Sequence, residues 1–545
     1  MNAPRLSVLA LAAVLAACSS GPKRPPGDNE PTLATLRDRT VAVVPDPADT
    51  PRAVAEEQTI TAYRQFLAAA PKAPQRPEAM RRLGDLEMDS ADRKSADSAA
   101  ADVPDYKAAI TRYEEALAAY PDDPRNDRVL YQLARARESA GQLEASLQTL
   151  NMLVSKYPGT VHADEAQFRR GEMLFAIRNY KDAEAAYATV LAAGNRTPFT
   201  ERALYMQGWS LFKQGRVEDA LKPFFAVFDL KLASLGPVQR DEAQLEDVRS
   251  LSRADRELLD DTFRVVSISL SSLQGAESIP KLVDLPDVSK LREGYQFRVY
   301  QQLAELYTRQ ERVKDAADTL SAFVKRQPLH AQAPLMQARV IEIYAAAGFD
   351  TLALSAKKDH VARYGVDSEF RRANPSGWQR AQALVKTNLV ELARFHHGLA
   401  QKSKQLADVQ EAIRWYDLLL TSFPLDAEVP ANRFLLAELL FDDRRFERAA
   451  KEFNTVAYPV AATTRVAPFA RAADAGYSAL LATTELEKAG ADKAALRRQS
   501  VQSGLLFAKT FPSDPRVGSV LTNAAEQLLS LKDGEQAVQL AQQAL

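Results

Sequence analysis

Beyond about Ala53 the apolar residues recur at helical spacing, and short turns break the runs. This predicts a chain of amphipathic helices rather than strands. The breaks carry a repeated mark, an aromatic residue followed by proline, at Tyr120-Pro121, Tyr157-Pro158, Phe423-Pro424, Tyr458-Pro459 and Phe511-Pro512. Pro71 and Pro328 fill the same place. Proline stops a helix because its ring removes an N–H and clashes with the preceding turn. The marks lie 37 residues apart between Pro121 and Pro158, and 35 apart between Pro424 and Pro459. A period of that length predicts stacked two-helix units, each burying its apolar face on its neighbours.

Inside each unit a small residue on the first helix is followed twelve positions later by a small residue on the second. The pairs are Ala134/Ser146, Gly171/Ala183, Gly208/Ala220, Ala304/Ala316, Ala437/Ala449 and Ala525/Ala537. Small side chains are needed where two helices cross closely. Four positions further on, an apolar or aromatic residue packs: Leu150, Tyr187, Phe224, Leu320 and Phe453. The run Leu204–Phe228 is the clearest unit, with Gly215 at the turn between its helices. In period and in these small-residue pairs the chain resembles the tetratricopeptide repeat (TPR) proteins. The resemblance implies an all-α superhelix, a solenoid of helix pairs covering most of residues 53–545.

Departures from the pattern divide the array. An N-terminal array is expected over 53–228, an irregular helical segment over 229–294, and a second array over 295–545. The polar stretch 89–104 interrupts the unit begun by Leu83-Gly84 and completed by Asp105–Tyr120. It reads as a loop or as a solvated extension of the preceding helix. Thr262–Leu273 is rich in β-branched residues, which favour strand. It is nonetheless expected to be helical, because Gly275 follows at the repeat's distance. The chain stops at Leu545 within an apolar second helix, so either something pairs with the array there or the protein is longer.

The first 52 residues differ in kind. Arg5 precedes an apolar run from Leu6 to Ala17, the order of a secretory signal peptide over residues 1–17 and too short for a permanent span. The run ends Leu15-Ala16-Ala17-Cys18, followed by Ser19, and Cys18 is the chain's one cysteine. This resembles a bacterial lipobox. The resemblance implies cleavage before Cys18, acylation of its thiol and new α-amine, and, with Ser19 rather than an aspartate next, placement on the periplasm-facing side of the outer membrane. Residues 18–52 carry repeated Pro and Gly and are expected to form a flexible, disordered tether with a reach of roughly 30 Å. Thr40–Val44 is the one place in it suited to a short strand.

Charge and composition narrow the chemistry. Seventy Lys and Arg face 71 Asp and Glu, so the chain lacks the excess basic charge that nucleic-acid binding draws on. A single cysteine excludes an intrachain disulfide and a multi-cysteine zinc site. No phosphate-binding glycine loop, HExxH or GxSxG occurs. The five histidines are His162, His330, His360, His396 and His397. The adjacent pair is expected to diverge on a helix rather than share a metal. Asp260-Asp261 and Asp442-Asp443 are expected at helix ends or turns, where solvation or capping explains them. No cofactor and no metal are expected.

In TPR proteins the first helices line a concave groove. Carried onto this chain, that resemblance places Arg128, Tyr131, Arg135 and Glu138 in the groove from one repeat. The next gives Glu165, Phe168, Glu172 and Phe175, and the third Arg202, Tyr205, Trp209, Phe212 and Lys213. A later repeat adds Phe434, Glu438 and Phe441. Aromatic rings beside Arg and Glu are the composition of a protein-binding hot spot. The expected function is therefore a non-catalytic, membrane-anchored periplasmic scaffold binding other envelope proteins or peptides. The array resembles the TPR lipoproteins of Gram-negative envelopes, BamD-like and CpoB-like (YbgF-like) proteins among them. That resemblance implies envelope assembly, a Tol/TonB-type complex or cell-wall synthesis as the setting. The alternative is a cell-wall enzyme, or an activator of peptidoglycan synthesis enzymes, built on a helical superhelix. An enzyme needs a separate compact catalytic module, and no stretch departs from helix-pair patterning for long enough to be one.

Overall fold

The computed structural model describes residues 52–97, 105–194, 197–233, 251–459, 469–490 and 493–544. The signal peptide, Cys18, the tether through residue 51, residues 98–104 and residues 234–250 lie outside them. The chain divides into two compact units, residues 1–142 and 143–545. The first contains α1 (Arg52–Ala69), α2 (Arg76–Asp97), α3 (Lys107–Ala119) and α4 (Asn126–Ser139). The second opens with α5 (Leu143–Lys156), α6 (Ala163–Ala176), α7 (Tyr180–Ala192), α8 (Thr200–Lys213) and α9 (Val217–Ala233). Its middle holds α10 (Arg253–Ser271), a 3₁₀ turn at Gly275–Ser278, α11 (Ile279–Val283), α12 (Ser289–Arg309), α13 (Val313–Arg326), α14 (Ala333–Ala346), α15 (Asp350–Tyr364), α16 (Glu369–Ala373), α17 (Pro375–Ser403) and α18 (Leu406–Ser422). It closes with α19 (Val429–Asp442), α20 (Phe446–Ala457), α21 (Ala472–Lys488), α22 (Lys493–Thr510), α23 (Val517–Ser530) and α24 (Gly534–Ala544). No strand occurs among the described residues. No described helix is long and apolar enough to cross a membrane. The expected all-α helical-repeat fold is what the structure shows.

Three hairpins close at a glycine waist. A Cβ added to Gly208 would lie 2.6–2.8 Å from ring carbons of Phe224, and one on Gly171 would lie 2.6–3.0 Å from Tyr187. The sequence reading paired these glycines with the small residues twelve positions on. It also placed a ring four positions further along, and that ring makes the tightest approach, because the glycine leaves room for an aromatic edge to cross the helix backbone. In the first unit Gly84 receives Tyr113 in the same way, at 2.6 Å from its virtual Cβ. There the separation is 29 residues, so the interruption adds thirteen without changing the contact. Tyr113, Tyr187 and Phe224 are all fully buried, and burial pushes both phenols well above their ordinary range.

The hairpin tips share one backbone solution. A residue in the left-handed region sits at Gly141, Arg178, Gly215, Glu311, Gly348, Arg444 and Lys532. The next N–H then reaches back to a carbonyl five residues earlier, as in Asn179 to Leu174 (2.8 Å), Arg312 to Tyr307 (2.9 Å) and Arg445 to Leu440 (2.8 Å). This closes the orphan carbonyls of the first helix. Glycine adopts that conformation without strain, yet Arg, Glu and Lys fill it in four repeats. That is why a search for glycine alone finds only some of the tips.

Residues 89–97 continue α2, so the helical extension describes this part of the polar interruption. Thr262–Ser271 is helical despite its β-branched residues, because it buries Phe263, Val265, Val266 and Leu270 along one side of α10. The same helix corrects one expectation. Asp260 and Asp261 lie in its middle, not at an end, and Asp261 accepts hydrogen bonds from Tyr205 and Arg264. Asp442 and Asp443 do close α19.

Helices α9, α11 and α12 are joined by a buried charge network. Arg292 on α12 forks onto Asp229 of α9 at 3.1 and 2.6 Å and gives a third hydrogen bond to the carbonyl of Leu282 on α11 (2.6 Å). Tyr295 donates to the same carboxylate at 2.9 Å, and the guanidinium lies 5.3 Å from the Phe225 ring centroid. The Arg292 and Asp229 side chains are 7% and 16% exposed. A carboxylate and a cation this far from water persist only when each has its partners.

Candidate protein-binding surface

The expected groove residues do not form one exposed row. Arg128, Tyr131, Arg135 and Glu138 belong to the first unit and the remaining twelve to the second. Arg128 is exposed, Arg135 is half-buried and bonded to Gln132 at 3.1 Å, and Tyr131 is buried. In the second unit Phe168 is also buried. Tyr131, Phe168 and likewise Phe434 are therefore core residues, which corrects their assignment to a binding face.

The cause is visible at Phe168. Phe199, from the turn before α8, stacks on it at 5.1 Å, and Arg202 covers it with its guanidinium 4.9 Å from the ring centroid. Arg202 is in turn bonded to Glu172 at 3.0 Å. The arrangement recurs on α19. Phe434 is covered by Phe469 (5.8 Å) and by Arg471 (4.1 Å), and Arg471 reaches Glu438 at 3.4 Å. His330 lies similarly against Phe297, at 5.6 Å. The aromatic on a first helix is thus roofed by the turn that introduces the next repeat. The sequence signal is an aromatic or His placed 31–35 residues after the first-helix ring, at 168/199, 297/330 and 434/469.

The other expected residues stay partly accessible. Glu165 bonds Arg169 on its own helix at 3.0 Å, and Phe175 meets Tyr180 edge-on across the hairpin tip at 5.2 Å. Phe441 makes the equivalent contact with Phe446 at 5.3 Å. Tyr205, Trp209 and Phe212 are half-buried and form a connected set. Trp209 meets Phe212 at 5.5 Å and Phe224 at 6.2 Å, while Lys213 and Arg264 lie 5.6 and 6.0 Å from its ring centroid. Tyr205 donates to Asp261. Burial, reinforced by that carboxylate, pushes its phenol up to about 12. Helix α10 therefore already occupies part of the face assigned to a partner at this repeat.

A better-formed concavity lies further along, at a place sequence reasoning missed. Three first helices, α12, α14 and α17, enclose a cavity of about 280 Å³ with a contribution from α13. Its floor is Ala304, Leu320, Met336 and Ile343, all buried. Leu335 and Leu384 are half-buried in its walls, and Gln301, Thr308, Arg339 and Glu342 form an exposed polar rim. Arg339 pairs with Glu342 at 2.7 Å. Glu305, also lining it, has Arg309 4.0 Å away. An apolar floor supplies area and a rim of hydrogen-bonding groups orients what enters. No single residue here is conspicuous in the sequence. The cavity joins residues from Gln301 to Leu384 that only the stacking of successive hairpins brings together. Among the described residues, no His, Cys, Asp and Glu are grouped so as to hold a metal ion.

Two family models, each described as tetratricopeptide repeat, match residues 100–167 and 163–229. No curated protein matches the chain in sequence. Solved structures it is similar to include Naa15/Naa10 bound to HypK-THB, at 13% identity over 90% of this chain, with TM-score 0.30. The chain spans 66% of that neighbour's length. A tetratricopeptide repeat protein from Parabacteroides merdae ATCC 43184 is 14% identical over 59% of this chain and 97% of its own, with TM-score 0.23. Yeast Tom70 is 16% identical over 86% of this chain and 91% of its own, with TM-score 0.19. The hairpin geometry and the matched models agree: the chain carries tetratricopeptide repeats over residues 100–229, within an all-α array of helical hairpins.

Proposed function

We propose that this protein is a non-catalytic docking scaffold of the bacterial envelope, tethered to the outer membrane through lipid on Cys18 and facing the periplasm. The observation that carries the binding role is the α12–α14–α17 cavity, where an apolar floor and a polar rim meet on successive first helices. Its occupant is a polypeptide segment that inserts an apolar side chain between Leu335 and Leu384 and hydrogen-bonds the rim. Envelope assembly, a Tol/TonB-type complex or the peptidoglycan synthesis machinery supplies the partner. The anchor rests on Leu15-Ala16-Ala17-Cys18-Ser19 and on the position of the single cysteine.

Photocrosslinkers at Thr308 and Arg339 in the full chain, expressed in cells, test the binding role. Each is expected to give a discrete adduct that falls at least five-fold when Leu335 and Leu384 are both replaced by arginine. A crosslinker at exposed Asp359, on α15, gives no such adduct, and helicity by circular dichroism stays unchanged. Adducts indifferent to the two arginines would place binding elsewhere. Fractionation tests the anchor separately. Cys18→Ala is expected to move the protein from the membrane to the soluble fraction, and continued membrane recovery would remove the lipid from the account.

A further inference from the structure

Three of the five histidines, His360 on α15 and His396 and His397 on α17, are buried at 0%, 5% and 7% exposure. Each, as placed, suits the neutral ring. His360 Nε2 lies 3.1 Å from the Pro334 carbonyl oxygen on α14, which can only accept, so that nitrogen carries the proton. Its Nδ1 lies 3.1 Å from the side-chain amide nitrogen of Asn388 on α17, which donates to it. His397 repeats the logic. Its Nε2 receives the Gln401 amide at 3.1 Å, and its Nδ1 faces the Tyr416 hydroxyl of α18 at 3.0 Å. His396 is the extreme case, because neither ring nitrogen has a hydrogen-bond partner. Its ring lies parallel to Trp415 of α18, 6.2 Å away and tilted 15°.

The charges around the cluster are of both signs. Lys358 from α15 and Arg414, Glu411 and Asp408 from α18 act on His396. Glu411 already accepts the Trp415 indole N–H at 2.8 Å and lies 3.7 Å from both Lys358 and Arg414. Asp442 on α19 acts on His397. Asn388, the Pro334 carbonyl and the Tyr364 ring face His360. One turn along, Lys357 and Glu391 tie α15 to α17 at 2.6 Å.

We propose that these three histidines form an acid-triggered catch joining α14, α15, α17 and α18. Protonation removes the acceptor nitrogens of His360 and His397, so that the Asn388 and Gln401 amides must turn over, and places a charge on the His396 ring, whose nitrogens have no hydrogen-bond partner. The helices then separate. Burial lowers the affinity of all three rings for a proton, His360 to about 4, with Lys358 adding to the effect at His396. Because folded-state values lie below the ordinary 6.5, the stabilisation is complete above that pH and is lost as pH falls toward the folded values. Leu384 lies one turn from Asn388, so release of α15 from α17 also displaces a wall of the α12–α14–α17 cavity.

Amide hydrogen exchange on the full chain, at about pH 7.5 and about pH 5 and corrected for intrinsic rates, tests the catch without requiring a bound partner. Amides of α15, α17 and α18 are expected to exchange at least ten-fold faster in acid, while those of α7–α9, which contain no histidine, change less than three-fold. In His360→Gln/His396→Phe/His397→Gln the acid response is expected to disappear. Should that triple variant fail to fold, His396→Phe alone decides. It gives up no hydrogen bond, keeps the stack on Trp415, and is expected to reduce the acid acceleration at least three-fold. Equal acceleration in α7–α9, or a variant that responds to acid like the native chain, overturns the proposal.

Discussion

Arg292→Met is expected to lower the local opening free energy of α9, α11 and α12 by about 3–5 kcal/mol, the cost typical of stranding one member of a buried ion pair. The substitution leaves the Asp229 carboxylate with a tyrosine hydroxyl but no cation, and leaves the Leu282 carbonyl without its 2.6 Å donor. Methionine fills the space, so the loss measures charge and hydrogen bonding rather than a void. Combining it with Asp229→Leu is expected to recover most of the deficit, because the second change removes the stranded charge. Hydrogen exchange of the three helices is the appropriate measurement, since an array of repeats need not unfold in one step. A single-variant loss below about 1 kcal/mol would mean that water reaches Asp229 and that the network does not join the three helices.

Two glycines in helices are expected to respond to alanine in opposite directions. At Gly398 of α17 an added Cβ meets nothing within 4 Å, so Gly398→Ala is expected to stabilise by about 0.5–1 kcal/mol through helix propensity. At Gly208 the same carbon would sit 2.6 Å from the Phe224 ring, which is fully buried and cannot retreat. Overpacking of this kind costs about 1–3 kcal/mol or more, enough to cancel the propensity gain and leave a net loss. Gly208→Ala with Phe224→Leu is expected to be more stable than Gly208→Ala alone, which identifies the ring as the obstacle. Matching losses at Gly208 and Gly398 would instead point to backbone effects common to both helices.

The hairpins were legible because their spacing is a direct consequence of close helix crossing: glycine at 171 and 208 leaves a mark in any sequence. The small residue at 12 positions and the ring at 16 lie on one helical face, so the spacing names both, and the structure adds that the ring edge makes the tightest approach to the glycine. The face of the array was less legible. Phe168 and Tyr131 carry the composition of a binding surface, but whether a ring is open or roofed depends on the following turn. Phe199 and Arg202 lie more than thirty residues downstream of Phe168. Asp261 could not have been assigned to Tyr205 from local pattern, because the bond joins residues 56 apart. The cavity gathers residues from Gln301 to Leu384 on several helices, a juxtaposition that no local periodicity encodes.

The glycine–tyrosine waist of α2 and α3 shows that a repeat takes its register from its middle. Thirteen residues beyond the usual separation lie between Gly84 and Tyr113, yet the ring seats as it does in a hairpin of ordinary length. Chain threaded beyond the waist is thus nearly free to vary, since lengthening a loop costs only a slowly growing entropy. A reporter or an epitope inserted between α2 and α3 is therefore expected to leave the Gly84–Tyr113 contact in place.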